Sequence, residues 1–348
     1  KSRMMKNTVL VTAIGSFSAD AVIRSCRREG FRIVGCDIYP AEWVASSMDV
    51  DVFYRAPYAT DTEAYRSFIR QICETEQIDY VLPLTDAEID VFQQWRQEDQ
   101  TCPGGRAVVC MSDMETIRLC RNKRRAAKLL EEKKVCRTIP GKRLSELLSA
   151  SEYSGEESFA GLSYPLIIKP EDGRSSQGLR RIFDSREMEL AVSQLKGQAE
   201  RYLVQPLISG GITTADVVRS HETGACVCLP RRELLRTLNG AGTSVQVFRD
   251  PVLEKICEEI AGALDVKGCV NFEFIEHHTE QGETEWYFLE CNPRFAGGVA
   301  FSCMAGYDMV KNHLRCFAGK EPEPAGKIQN QYIARRYTEY RMKEDTNE

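Results

Sequence analysis

Strand and helix patterns alternate through the N-terminal third of the sequence, and this alternation constrains the fold more than any other feature. Short apolar runs rich in β-branched residues are each followed by a segment with helical spacing of its apolar residues. The strands are predicted at residues 8–13, 31–36, 80–84 and 107–109, and the helices at residues 18–29, 61–76 and 86–97. Such alternation with short connections predicts parallel strands joined by right-handed crossovers. We therefore expect an α/β fold that begins with an open Rossmann-like sheet.

Composition excludes several classes of protein. The chain has 348 residues, enough for two or three domains, and its net charge of −5 gives no basic excess for nucleic acid or anionic lipid. Its 14 cysteines include no Cys-x-x-Cys pair, which argues against zinc ribbons and favours reduced, buried thiols. No apolar run approaches the roughly 18 residues of a membrane span. We expect a cytoplasmic protein that binds neither nucleic acid nor membrane, and a homodimer is compatible with these features.

A dinucleotide-binding site would have its characteristic glycines in the turn after the first strand. This turn contains one glycine, Gly15, where the nicotinamide-binding pattern needs three, so such a site is a minor alternative. Beyond this sheet, Ser112 and Glu115 have the spacing of a capping box, which predicts a helix that continues through Leu130.

A lysine closes a short apolar strand near the middle of the chain. Residues 164–168 are apolar, Lys169 follows, and residues 173–178 form a loop rich in glycine and serine before a second predicted strand. Backbone N–H groups of such a loop can approach a phosphate closely, with Lys169 as a point charge. An exposed hairpin with a surface lysine explains the same pattern equally well.

Acids occupy one face of a predicted hairpin further along the chain. Alternation places Asn271 and Glu273 on one face of the first strand, and Glu290 and Asn292 on one face of the second. Carboxylate and amide oxygens suit Mg²⁺, and Arg294 follows directly, where it could stabilise charge on a transferring phosphoryl group. The alternative is a hairpin with solvated acids. Glu290 argues against it, because an acid that ends an apolar run needs a cationic partner.

The order of these segments resembles the ATP-grasp superfamily over nearly the whole chain, and the subgroup of the carbamoyl-phosphate synthetase large subunit and the pyrrolysine-pathway lysine ligase in particular. The resemblance is carried by the following segments: Asn122-Lys123, Ile168-Lys169-Pro170, residues 173–178, residues 204–210, Asn271-Phe272-Glu273 and residues 290–298. It implies a Rossmann-like pre-ATP-grasp domain (residues 1–111), a small ATP-grasp lobe (112–202), a large lobe with a metal site (203–320), and a C-terminal strand and tail (321–348).

The resemblance also implies roles for individual residues. Lys123 and Lys169 match the lysines that contact the ATP phosphates, and Arg231 resembles a further basic residue near them. The mobile loop over the phosphates corresponds to Arg174, Ser175, Ser176, Gln177 and Gly178. The hinge whose backbone contacts adenine corresponds to Gln205, Pro206, Leu207 and Ile208.

The metal and catalytic positions follow in the same way. Glu273, Glu290 and Asn292 match ligands of Mg²⁺ or Mn²⁺. Arg294 matches the arginine that contacts the γ-phosphate and the acylphosphate, so Arg294 and Lys169 are the expected catalytic residues. The sequence departs from the family at Ile212, where many members have a ribose-binding glutamate. Asp216 is the nearest acid.

The resulting hypothesis is an ADP-forming carbon–nitrogen ligase that activates a small carboxylate, such as an amino acid, and couples it to an amine. No cysteine is needed as a nucleophile, and Cys291 is predicted to face the core. The alternative is a nucleotide-binding sensor or scaffold without turnover, for which Ile212 is the support. Asp86 and Glu88 either hold a substrate ammonium group or cap a helix, and capping is favoured.

Overall fold

The N-terminal part of the chain is a parallel sheet flanked by helices. The structure, a computed structural model, describes residues 7–149, 155–171 and 178–343. Five strands pair in the order β3-β2-β1-β4-β5, and all pairs are parallel. They are β1 (Thr8–Val11), β2 (Arg32–Asp37), β3 (Val52–Arg55), β4 (Tyr80–Leu82) and β5 (Val108–Val109), with helices α1 (Ala19–Arg28), α2 (Thr62–Thr75) and α3 (Asp86–Glu98) between them. The predicted Rossmann-like sheet is confirmed.

Residues of β1 alternate between two hydrophobic cores. Val9 and Val11 pack in one core, while Leu10 packs in the other, because successive side chains of a strand point to opposite faces. The strand is buried throughout, as expected for a parallel sheet covered by helices on both faces.

Two helices connect this sheet to the rest of the chain, and here two predictions were wrong. Helix α4 (Met114–Arg121) begins after Asp113, because the buried Ser112 hydroxyl bonds the backbone of Lys267 instead of capping the helix. The helix also does not continue to Leu130. The backbone of Asn122 is extended, and its side chain accepts a hydrogen bond from the Arg125 N–H, so a separate helix α5 (Lys123–Glu132) begins there. Strand β6 (Arg137–Thr138) follows.

A small antiparallel sheet comes next, in the order β11-β10-β12-β7. Its elements are β7 (Lys142–Arg143), α6 (Leu144–Ser149), β10 (Leu166–Pro170), β11 (Arg180–Ile182), α7 (Ser185–Leu195) and β12 (Tyr202–Pro206), with a separate hairpin of β8 (Ser158–Phe159) and β9 (Leu162–Ser163). Helices α6 and α7 pack with β10 and β12 around one hydrophobic core. The predicted hairpin from Lys169 to β11 is confirmed in its strands, while residues 173–177 of its loop lie outside the described residues.

The largest sheet has seven strands in the order β18-β15-β14-β13-β16-β17-β6. Its remaining strands are β13 (Gly211–Arg219), β14 (Cys226–Arg236), β15 (Gly242–Val247), β16 (Gly268–His278), β17 (Thr284–Asn292) and β18 (Gln331–Ala334), and its helices are α8 (Pro251–Ala263), α9 (Val299–Ala305) and α10 (Met309–Phe317). One face packs on α8 and on residues of α4 and α5, which the sequence assigned to the small lobe.

The other face of this sheet joins the N-terminal domain in a single core. Residues of β1 and α1 share that core with residues of α9 and α10, and the Ser25 hydroxyl donates to Asp308 at 2.7 Å. The large sheet, with α9 and α10, therefore packs against the N-terminal domain through a hydrophobic interface. In the part of the chain that the structure describes, no helix is long and apolar enough to cross a membrane.

Candidate functional site

The three parts of the fold surround one cleft with a volume of about 720 Å³. The N-terminal domain contributes the turns after β1 and β4, the small sheet contributes β10 and β12, and the large sheet contributes β14, β16 and β17. Its lining includes Ser16, Phe17, Asp86, Lys123, Lys169, Gln205, Pro206, Leu207, Ile208, Ile212, Arg231, Glu233, Arg236, Glu273, Glu290, Asn292 and Arg294. The structure therefore brings together the lysines, hinge, acids and arginines that the sequence singled out.

The acids face each other across the hairpin of β16 and β17. The two strands are antiparallel, as predicted, with Glu273 opposite Glu290 and Asn271 opposite Asn292. Burial raises the pKa of the Glu273 carboxyl, and the negative charge of Glu290 raises it further, while Arg236 opposes the rise. Two carboxylates in this arrangement repel each other, so the site favours cations between or beside them.

Each carboxylate has a cationic partner. Lys123 Nζ lies 2.9 Å from Glu290 Oε2, and Arg236 Nη1 lies 3.1 Å from Glu273 Oε1. Lys123 reaches Glu290 because Asn122 starts α5 beside β17, so the helix break that the sequence did not predict positions this lysine.

The donor set fits a hard divalent cation. Mg²⁺ is commonly held by one or two carboxylates together with water and substrate phosphates, and Glu273, Glu290 and the Asn292 amide supply two carboxylates and one neutral oxygen. No group of three His, Cys, Asp or Glu side chains among the described residues could hold a metal ion. A cation held by these three donors would take its remaining ligands from water and from the oxygens of a bound phosphate.

Lys169 stands at the cleft end of β10, opposite Leu203 of β12. Its pKa is lowered from 10.5 to about 8, first by burial and then by the positive charge of Lys123, while Glu290 and Glu273 act in the opposite direction. Burial and the positive charge of Lys123 thus disfavour the charged form of Lys169, and a bound polyanion would stabilise it.

The predicted hinge lies at the end of β12. The Gln205 side chain donates to the Ile139 carbonyl at 2.7 Å, where Gly141 leaves room for it, since a Cβ on Gly141 would lie 2.7 Å from Gln205 Cγ. The Leu207 N–H donates to the Pro165 carbonyl at 3.0 Å, which joins the hinge to the strand β10 side of the small sheet.

Little of the predicted phosphate loop lies within the described residues. Gly178 has a φ of +73°, a left-handed conformation that glycine adopts without strain, and it packs against Pro170. Arg174, Ser175, Ser176 and Gln177 lie outside the described residues.

Arg231 and Asp216 are buried in one polar network. Arg231 is 1% exposed and pairs with Asp216 and Glu233, and Asp216 also accepts from Asn271 at 2.9 Å and Ser302 at 2.6 Å. Asp216 is fully buried, so it does not replace the missing ribose ligand. The charge of Arg231 is balanced within the cleft wall, and its contact with a phosphate stays a prediction.

Arg294 is held by the N-terminal domain. Its Nε and Nη2 lie 3.0 and 3.1 Å from the two carboxylate oxygens of Asp86, the first residue of α3. Glu88 forms the capping box of α3 with Thr85, so the capping interpretation is confirmed for Glu88, whereas the Asp86 carboxylate is paired with an arginine.

The sequence did not single out Arg236 or Glu233. Alternation along β14 places Glu233 on the same face as Arg231 and could have found it. Arg236 could not be found in this way, because the pairing of β14 with β15 shifts register on either side of Leu235. Cys291 is 3% exposed in the core, as predicted, and all 14 cysteines are free thiols.

Two family models match the chain. The model described as "PylC-like, N-terminal domain" matches residues 9–103. The model described as "ATP-grasp in the biosynthetic pathway with Ter operon" matches residues 198–340. A search of curated proteins gave no match.

Solved structures share the fold at low sequence identity. The Campylobacter jejuni biotin carboxylase in a β,γ-ATP complex is 16% identical, with a TM-score of 0.72 over 95% of this chain and 75% of that one. The biotin carboxylase domain of Hydrogenobacter thermophilus 2-oxoglutarate carboxylase, with MgADP, ADP and bicarbonate, is 18% identical, with a TM-score of 0.71 over 95% and 74%. The L-amino acid ligase of Bacillus licheniformis is 16% identical, with a TM-score of 0.63 over 90% and 74%. The chain therefore has the two-lobed ATP-grasp fold, with an ATP-grasp family model matched over residues 198–340 and a PylC-like N-terminal model over residues 9–103.

Proposed function

We propose that the protein is an ADP-forming carbon–nitrogen ligase that activates a small carboxylate as an acylphosphate and joins it to an amine. The observation that carries this proposal is the cleft in which Lys123, Lys169 and Arg294 surround the facing acids Glu273 and Glu290. Such a site can bind a nucleoside triphosphate with a divalent cation, and the described residues that line it include no nucleophilic triad.

Nucleotide binding divides between the two lobes. Lys123 and Lys169 would bind phosphate oxygens. At the hinge, Pro206 has no N–H and the Leu207 N–H is bonded to Pro165, which leaves the Ile208 N–H as the donor for an adenine ring. No residue is assigned to the ribose, because Asp216 is enclosed in the buried network.

Glu273, Glu290 and Asn292 would hold Mg²⁺ or Mn²⁺, and a protein of the same fold has been solved in complex with MgADP. The bound cation would supply charge neutralisation at the phosphate oxygens. Lys123 forms an ion pair with Glu290, one of these proposed ligands.

The reaction needs two displacements. An oxygen of the substrate carboxylate attacks the γ-phosphorus of ATP, and ADP leaves with the electron pair of the broken bond. The amine then attacks the acyl carbon and releases inorganic phosphate. The residues of the chain position the reactants and stabilise charge, with Arg294 and Lys169 at the transferring phosphoryl group, because such transfer relies mainly on orientation and electrostatics.

The test is an assay of Mg²⁺-dependent ADP and phosphate release over a panel of carboxylic acids, including amino acids, each mixed with amines. Mass spectrometry would identify the condensed product. Release stimulated by one acid together with one amine is the expected result. Tight ATP binding without turnover across the whole panel would refute the ligase and favour a nucleotide sensor.

A further inference from the structure

Asp86 of the N-terminal domain forms a bidentate ion pair with Arg294, which follows the hairpin of β16 and β17. Asp86 and Arg294 are 208 residues apart, yet both oxygens of Asp86 accept bonds from one edge of the guanidinium, through Nε and Nη2. Both side chains are mostly buried, with exposed fractions of 12% for Asp86 and 22% for Arg294. Bidentate pairs of this kind fix orientation as well as distance.

Two hydrogen bonds to backbone carbonyls also hold Arg294 in place. Its Nη1 donates to the Phe295 carbonyl at 3.3 Å, and its backbone N–H donates to the Asn292 carbonyl at 2.8 Å. A carboxylate bound side-on through Nε and Nη2 leaves the end of the guanidinium, between Nη1 and Nη2, as the edge on which another anion can bind. Arg294 and Asn292, a proposed metal ligand, line the same cleft.

Asp86 begins α3, and hydrogen bonds of neighbouring side chains hold the first turn of this helix in place. Thr85 donates from its hydroxyl to Glu88 Oε2 at 2.7 Å and from its N–H at 3.1 Å, which fixes the start of α3. The Tyr65 hydroxyl donates to the other oxygen of the buried Glu88 at 2.9 Å. A side chain on an element fixed in this way can hold a partner within the narrow limits that catalysis requires.

A role in capping alone does not explain this arrangement. An acid at the first position of a helix interacts favourably with the helix dipole wherever its side chain points. Here the carboxylate points across the domain boundary to Arg294, while Arg121, whose Nη1 is 4.0 Å from Asp86 Oδ1, bonds Asp90 through Nε and Nη2.

We infer that Asp86 is a positioning residue, which orients Arg294 so that its remaining edge meets the γ-phosphate of bound ATP. This inference rests on the proposed function, and it makes the N-terminal domain part of the phosphoryl-transfer site. In this role Asp86 acts through Arg294.

The test compares the affinities of the full-length protein for MgADP and for the Mg²⁺ complex of a non-hydrolysable ATP analogue, by calorimetry. The ratio of the two affinities measures the contact with the γ-phosphate and needs neither the acid nor the amine. In Asp86→Asn the preference for the ATP analogue should fall by about tenfold, which corresponds to the contribution of one charge-assisted hydrogen bond. The variant should still bind one MgADP per chain with unchanged affinity. Asp86→Glu retains the carboxylate and should restore part of the preference.

The matched control is Glu98→Gln, which removes another ion pair of α3, that with Arg66, at the far end of the helix from Asp86. It should leave the preference unchanged. A preference for the ATP analogue that is unchanged or increased in Asp86→Asn would overturn the inference. It would show that Asp86 does not orient Arg294 for the γ-phosphate, because removing a carboxylate that only neutralised Arg294 would strengthen phosphate binding. Loss of stoichiometric MgADP binding in Asp86→Asn alone would also overturn it, in favour of a structural role. Failure of the unmodified protein to bind either nucleotide would refute the proposed function itself.

Discussion

Replacing Lys169 by methionine should make the ligand-free protein more stable while it abolishes turnover. The cleft lowers the pKa of Lys169 from 10.5 to about 8, mainly by burial and also through Lys123. Because one pKa unit corresponds to about 1.4 kcal/mol, keeping this lysine charged in the folded protein costs about 3 kcal/mol at neutral pH. Lys169 retains partial contact with solvent in the cleft, which screens part of this cost, so we expect a gain of about 1–3 kcal/mol.

The pH dependence gives this prediction a defined sign. Below the folded pKa of about 8, Lys169 is charged in both the folded and the unfolded protein, and the full cost is present. Between about 8 and 10.5 the unfolded protein holds a proton that the folded protein has released, so the stability of the unmodified protein rises with pH in this range. The difference between the two proteins should therefore shrink from pH 8 upward and be smallest near pH 10.5.

Urea unfolding at several pH values between 7 and 10.5, without nucleotide, measures the difference. The matched control is Lys142→Met, which removes an exposed lysine from β7 of the same sheet and should change stability little at any pH. A variant Lys169→Met that is less stable than the unmodified protein at pH 7, or whose difference does not depend on pH, would refute the reasoning. Retained turnover would refute the assignment of Lys169 to the site.

Three further predictions concern other parts of the molecule. Glu290→Gln should abolish Mg²⁺-dependent turnover with little change in the thermal unfolding midpoint, and near-normal activity would show that this carboxylate is not a metal ligand. Gly242→Ala should destabilise the protein by about 1–3 kcal/mol in urea, since its Cβ would clash with the Glu233 carboxylate; unchanged stability would show that Glu233 moves freely. Burial lowers the pKa of His313 to about 3, so the unfolded state binds its proton first and stability should fall from about pH 6.5 towards pH 3. His313→Gln should lack this part of the pH profile in acid titrations of the unfolding free energy.

Local patterns predicted much of the fold and the acidic hairpin. A strand alternates its side chains strictly, so the faces of Glu273, Glu290 and Asn292 followed from their positions in two apolar runs. The structure has Glu273 opposite Glu290, and the register of the hairpin shifts by one residue between Glu273 and Phe274, which alternation along either strand does not predict. The parallel N-terminal sheet was predictable for the same reason, because its strands and helices differ clearly in periodicity.

Contacts between distant segments were not predictable in the same way. A capping box was expected at Ser112, but Lys267 is 155 positions away and its backbone bonds the Ser112 hydroxyl. The pairing of Asp86 with Arg294 likewise depends on how the N-terminal domain packs on the large lobe. Spacing within either segment contains no information about the other.

Charged side chains of the site pair with one another, and this pairing has a consequence for binding. Lys123 pairs with Glu290, and Arg236 pairs with Glu273. A divalent cation bound by these carboxylates would compete with Lys123 for Glu290, and the phosphates that accompany the cation would offer Lys123 further oxygens. Nucleotide and metal then exchange one set of ion pairs for another, so that neither is expected to bind as well alone as together. Arg294 is different, because its carboxylate partner Asp86 belongs to another domain and is not a proposed metal ligand. It can therefore keep its orientation while the pairs around Glu273 and Glu290 are replaced.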